Sequence, residues 1–170
     1  AGIWRICNDV FDLLPISALI NGKVFCVHGG LSPEIKLIEQ ITLIERQGEL
    51  PNSGAFSDLC WSDPDNIEGW GHSQRGAGYV FGRKPVEEFM EMNNLDLIVR
   101  AHQLAVEGYE YHFDEKVLTI WSAPNYMYRV GNKAAVVEID EQSNRKFTIF
   151  EAVPNESRKI PDDAAPFYFA

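Results

Sequence analysis

Val24-Phe-Cys-Val-His28-Gly29-Gly30 and Leu97-Ile-Val-Arg-Ala-His102-Gln103 share one layout: an apolar run of strand length carries the chain into a histidine, and a polar or flexible stretch follows. Such unalternating runs read as strands buried on both faces. Each histidine would then project from the end of a strand. In α/β folds that edge is where sites assemble, and neutral imidazole is the commonest protein ligand for Zn, Fe and similar metals. His28 and His102 are therefore candidate ligands. On residue type alone, a half-buried histidine held by ordinary hydrogen bonds is the commoner outcome. His72 and His112 lack the strand-end context and are read that way.

Around these runs, Asn8 to Leu50 reads as short helical pieces around the strand Lys23–His28, with helical periodicity over Ile35 to Arg46. Residues 51 to 84 are rich in Gly, Pro, Asp and Ser and read as a long irregular segment, ordered by Trp61, Trp70, Tyr79 and Phe81. A helix is expected over Pro85 to Asn93, opened by its proline. Strands are expected over Leu97–Arg100, Gly108–Phe113, Val117–Ser122, Ala134–Ile139 and Phe147–Glu151. The class is mixed α/β, or α+β. Residues 1–153 form the domain and 154–170, with three prolines, an extended tail.

The 170 residues carry 45% hydrophobic side chains, enough for one ordinary core. Three cysteines, odd in number and without CxxC spacing, fit a reducing compartment. No stretch approaches the ~20 apolar residues of a membrane span, and no signal peptide is readable. A net charge of −10 argues against nucleic acid as a partner, because phosphate-backbone affinity comes from clustered Lys and Arg. If a phosphorylated substrate binds, metals and a few placed arginines must overcome the global repulsion. The chain opens Ala1-Gly2-Ile3-Trp4, without Met, so a truncated start is expected.

One such arginine is Arg75, in Gly69-Trp-Gly-His-Ser-Gln-Arg75-Gly-Ala-Gly-Tyr-Val-Phe-Gly82. Glycines allow a ligand close approach to the backbone, and a guanidinium matches a phosphate's paired oxygens. An arginine beside glycine is more often a turn or surface residue. In Ile120-Trp-Ser-Ala-Pro-Asn-Tyr126 a strand stops at Pro124 and leaves Tyr126 on a loop, where it either lines a cleft or packs in a turn. Trp61-Ser-Asp63-Pro-Asp65 offers either a turn-capping Asp63 or an acid beside a metal site.

Together, His28-Gly-Gly-Leu-Ser-Pro33, Trp61-Ser-Asp-Pro-Asp65, Arg75-Gly-Ala-Gly, Arg100-Ala-His-Gln103 and Ser122-Ala-Pro-Asn-Tyr126 resemble the serine/threonine phosphoprotein phosphatase family over essentially the whole chain. Arg75-Gly-Ala-Gly-Tyr79, Gln103 with Glu107-Gly-Tyr109, and Tyr128-Arg-Val-Gly-Asn132 point to its type 2A-like group of types 2A, 4 and 6. Phe150 to Arg158 is most similar to type 4. The resemblance implies a calcineurin-like metallophosphoesterase β-sandwich flanked by helices. It also implies a hydrolase that dephosphorylates phosphoserine and phosphothreonine proteins with two divalent ions (Mn, Fe or Zn). His28 and His102 would ligate one metal, Arg75 would hold the phosphate, Tyr126 would border the cleft, and Asp63 would stand behind the ligands.

The family's DxH, GDxxDRG and GNHE motifs are absent from these 170 residues. In relatives they supply the remaining ligands and precede the region that this sequence matches. The expectation is an incomplete sheet, one set of ligands partly present, and a chain inactive alone. Scaffold and regulatory subunits, and residence in cytoplasm and nucleus, are implied partners and setting, with no nucleic acid and no membrane. The alternative from another class is a non-catalytic module that binds those regulatory subunits.

Overall fold

The strands that carry the two histidines lie side by side. In the computed structural model, which describes residues 2–154 and 157, β2 (Val24–Val27) pairs in parallel with β6 (Leu97–Arg100), with Val24 opposite Leu97 and Cys26 opposite Val99. β8 (Val117–Ile120) adds in parallel on the far side of β6, and β7 (Tyr109–His112) closes that edge antiparallel to β8. With β1 (Ser17–Ile20) on the other edge, the order is β1-β2-β6-β8-β7.

Strand periodicity sorts the central side chains into two cores. Val24, Leu97, Val99 and Leu118 point to one face, covered by β9 (Ala134–Ile139) and β10 (Arg145–Phe150) through Val137, Ile139 and Phe147. Phe25, Val27, Ile98 and Val117 point to the other, beneath α3 (Arg83–Asn93), where Phe89 meets Phe25 at a ring-centroid distance of 5.3 Å. Both faces being covered explains why these strands are apolar without alternation. α3 ends at Asn94 in a left-handed conformation, φ 52°.

The mixed α/β class holds, and three local expectations are corrected. Ser17–Ile20, read among helical pieces, is a strand, because Asn21 and Gly22 both adopt positive φ (53° and 68°) and turn it into an antiparallel hairpin with β2. Asn-Gly between apolar runs is the strongest short hairpin signal. The helical stretch over Ile35–Arg46 is only a 3-10 helix, Ile38–Leu43. The irregular segment 51–84 contains α2 (Ala55–Trp61) and a small sheet of β3 (Asp63–Pro64), β4 (Trp70–His72) and β5 (Tyr79–Phe81) in the order β3-β5-β4. Strands of two or three residues are too short to show a period.

α1 (Gly2–Phe11) buries none of its residues; Ile3, Trp4 and Ile6 are open among the described residues. Most of the segment 154–170, expected as a tail, lies outside the described residues.

The loop after β2 is pressed against the end of α2. Gly29 and Gly30 donate to the Leu59 carbonyl at 2.8 and 3.3 Å, and a Cβ on Gly29 would stand 2.4 Å from the Cys60 carbonyl carbon. Backbone cannot yield as a side chain end can. Gly29→Ala is expected to cost about 1–3 kcal/mol or more through overpacking. Urea denaturation measures it, and a midpoint within error of wild type would show that the loop relaxes freely.

Candidate functional site

Because β2, β6 and β8 are parallel, their C-terminal ends come out on one edge. The ladder runs one step past β6: the Ala101 N–H donates to the His28 carbonyl at 3.0 Å. That bond sets His102 beside His28, with His28 Nε2 and His102 Nδ1 3.2 Å apart and ring centroids 5.0 Å apart. His102 sits at φ 56°, a left-handed backbone seldom taken by non-glycine residues outside turns and functional sites. The Trp61 ring meets it edge-on at 5.2 Å. His28, His102, Trp121, Ser122 and Tyr126 line a cleft of about 360 Å³.

Both imidazoles are held neutral. Burial pulls the His28 pKa below its ordinary value, with a further push from the Arg100 charge. His102 is pulled down to about 4, first by burial and then by the Arg75 charge. Their lone pairs are thus available at neutral pH, as a metal ligand requires. Two nitrogens on neighbouring positions of one ion at about 2.0–2.1 Å would lie roughly 2.8–3.4 Å apart, and the 3.2 Å separation falls in that range. The pair fits half of one ion's coordination sphere. Among the described residues no group of three or more His, Cys, Asp and Glu side chains is placed to hold a metal. His102 Nε2 is buried and lacks a hydrogen-bond partner among the described residues, so the ring is held through Nδ1, facing His28 Nε2.

Asp63 and Arg75 lie next to this cleft and do not line it. Asp63, buried, accepts from Arg75 Nε at 2.6 Å through Oδ2 and from the Arg100 guanidinium at 2.7 Å through Oδ1. The Arg75 loop is seated by Gly78, whose φ is 67° and where a Cβ would stand 2.7 Å from the Ser62 nitrogen, and by the Tyr79 N–H donating to Ser62 Oγ at 3.0 Å. About a third of the Arg75 side chain is exposed, and its terminal nitrogens meet no acceptor among the described residues. Asp63 therefore fixes the stem of Arg75 and leaves its outer fork for an anion.

Tyr126 is half exposed and meets Trp121 edge-on at 4.9 Å. Its loop is held in strained backbone, with φ of 46° at Asn125 and 54° at Met127. Asn132 is the clamp: its Oδ1 accepts from the Tyr126 N–H at 2.8 Å, and its Nδ2 donates to the Ala123 and Lys133 carbonyls. Asn125 Oδ1 in turn accepts from the Gly131 N–H at 3.0 Å.

All five residues singled out in the sequence thus gather at one end of the sheet, in two adjoining groups. Two contributors were missed as functional residues. Arg100 looked like the last residue of an apolar strand, and a charge at that position was the available signal. Asn132 stood only at the end of the Tyr128–Asn132 motif, and nothing local marked it as a clamp, since its partners are backbone groups.

The family model for calcineurin-like phosphoesterases matches residues 1–105. Among solved structures, the chain is similar to a protein serine/threonine phosphatase from Saccharomyces cerevisiae described as having similarity to human phosphatase PP5, at 33% identity and a TM-score of 0.80. The match covers 93% of this chain and 53% of that one, so the chain spans about half the length of that relative.

The neutral histidines tie stability to pH. His28, His102 and His112 all bind protons less readily folded than unfolded, chiefly because of burial. As pH falls below the ordinary histidine value of 6.5 toward the His102 value of about 4, the unfolded state gains protons that the folded state refuses, and stability is lost. Asp58, raised by burial, acts in the opposite sense at the acid end. Denaturation in metal-free buffer should show stability rising from pH 4.5 to 7, with a smaller slope for His112→Gln. A flat profile would contradict it.

Proposed function

Because the chain belongs to the calcineurin-like phosphoesterase family, we propose that it is part of the catalytic subunit of a serine/threonine protein phosphatase. The type 2A-like group, nearest to type 4, is the proposed membership, supported by Arg75-Gly-Ala-Gly-Tyr79 and Phe150 to Arg158. The observation that carries the proposal is the facing His28 and His102 pair with a partly exposed arginine held beside it.

When bound, two divalent ions (Mn, Fe or Zn) would acidify a water and draw charge from the phosphoryl oxygens. His28 and His102 would hold one of them as neutral donors. The terminal nitrogens of Arg75 take the phosphate of a phosphoserine or phosphothreonine, and Asp63 keeps the guanidinium from swinging away. Fixing the donor before the substrate arrives removes reorganisation from the chemical step. Tyr126 borders the cleft and sheds water from it on a loop that Asn132 fixes. The partners proposed are phosphorylated proteins as substrates, with scaffold and regulatory subunits assembling in cytoplasm and nucleus.

Two measurements check the reading. The 170-residue chain alone should not turn over p-nitrophenyl phosphate or a phosphopeptide with added manganese, since the described residues supply only two imidazoles. Turnover abolished by His28→Ala would refute that expectation. In the complete enzyme, Arg75→Ala should lower kcat/KM by the equivalent of about 2–4 kcal/mol, and Arg75→Lys should recover only part of it. Unchanged kinetics would make Arg75 a structural residue.

A further inference from the structure

A phosphate site at Arg75 faces a difficulty of charge. Asp63 accepts from Arg75 Nε at 2.6 Å, and a carboxylate that close cancels most of the guanidinium's attraction for an anion. The chain as a whole repels anions, with a net charge of −10. A neutral Arg75–Asp63 pair would be a poor phosphate trap.

Arg100 resolves it. Its side chain is fully buried, and its guanidinium meets the other oxygen of the same carboxylate at 2.7 Å. Its Nε donates to the Gly29 carbonyl at 2.5 Å, NH2 also to the Ser62 carbonyl at 3.1 Å, and NH1 to Gln103 Oε1 at 2.9 Å. Those three acceptors are neutral, so the Asp63 carboxylate is the one anion that meets the Arg100 guanidinium among the described residues, and it is shared with Arg75. The Arg75–Asp63–Arg100 cluster carries one net positive charge. Arg100, with no exposed surface on its side chain, does not reach an anion itself.

We propose that Arg100 is a positioning residue for phosphate recognition: by sharing the Asp63 carboxylate, it leaves Arg75 both anchored through Nε and electrostatically unspent. A carboxylate alone would anchor Arg75 and neutralise it. A carboxylate shared with a buried second arginine does only the first. This inference rests on Arg75 as the phosphate-holding residue and adds what makes it effective.

The test is titration of the 170-residue chain with inorganic phosphate, followed by 31P NMR, with thermal melts run in parallel. Arg75→Ala should weaken binding tenfold or more; unchanged affinity there would overturn the site reading itself. Given a dependence on Arg75, Arg100→Met should weaken phosphate binding about tenfold, the effect of one charge removed at close range. Arg100→Lys, which keeps the charge, should stay within about threefold of wild type. The double variant Asp63→Asn with Arg100→Met leaves Arg75 as the sole charge and should return to within about threefold of wild type. If Arg100→Met does not fold, Arg100→Gln, which removes the charge and keeps hydrogen-bond donors for the Gly29 and Ser62 carbonyls, takes its place and should weaken phosphate binding to the same extent. A double variant no better than Arg100→Met, or a folded Arg100→Met or Arg100→Gln that binds phosphate as wild type does, would show that Arg100 acts only as a structural brace and would overturn the proposal.

Discussion

The buried guanidinium of Arg100 is the constraint around which this end of the molecule is arranged. It reaches Gly29 after β2, Ser62 and Asp63 after α2, and Gln103 after β6. Burial pulls its pKa down to about 10 despite the Asp63 carboxylate, yet it stays charged at neutral pH. Taking such a charge out of water costs several kcal/mol, offset only where hydrogen bonds satisfy it and a counter-charge stands close. Three separate segments are thereby obliged to meet at one point. His28 adjoins Gly29, His102 lies two residues beyond Arg100, and Arg75 grips Asp63.

The sheet supplies the remaining order. Parallel pairing of β2, β6 and β8 brings three strand ends to one edge, so residues 74 positions apart, His28 and His102, face each other. An antiparallel arrangement would have sent the second histidine to the opposite edge. Two covered faces keep the strands rigid, and rigid strands let strained positions such as His102 and Asn125 persist at their ends.

Glycine has a narrow part in this. Gly29 and Gly78 are the places where backbone meets backbone at the back of the site, against Cys60 and Ser62. The first brings the His28 loop onto α2 and the second seats the Arg75 loop on the residues beside Asp63. The surrounding net charge of −10 makes the local cation cluster stand out, since affinity for an anion here must come from groups within contact range.

The mixed class, the central strands and five candidate site residues were legible in the sequence alone, because unbroken apolar runs and histidines at strand ends are local signals; the helix expected from Pro85 starts two residues earlier, at Arg83. The sequence did not disclose the two- and three-residue strands of 51–84, whose pairings are non-local, nor the β1 hairpin, although Asn21-Gly22 marked it. Tertiary structure alone decided that Asp63 stands between two arginines and that Asn132 clamps the Tyr126 loop. Which charge meets which carboxylate, and which amide meets which carbonyl, depends on distances between segments far apart in the chain. Residue type and spacing carry no measure of those distances.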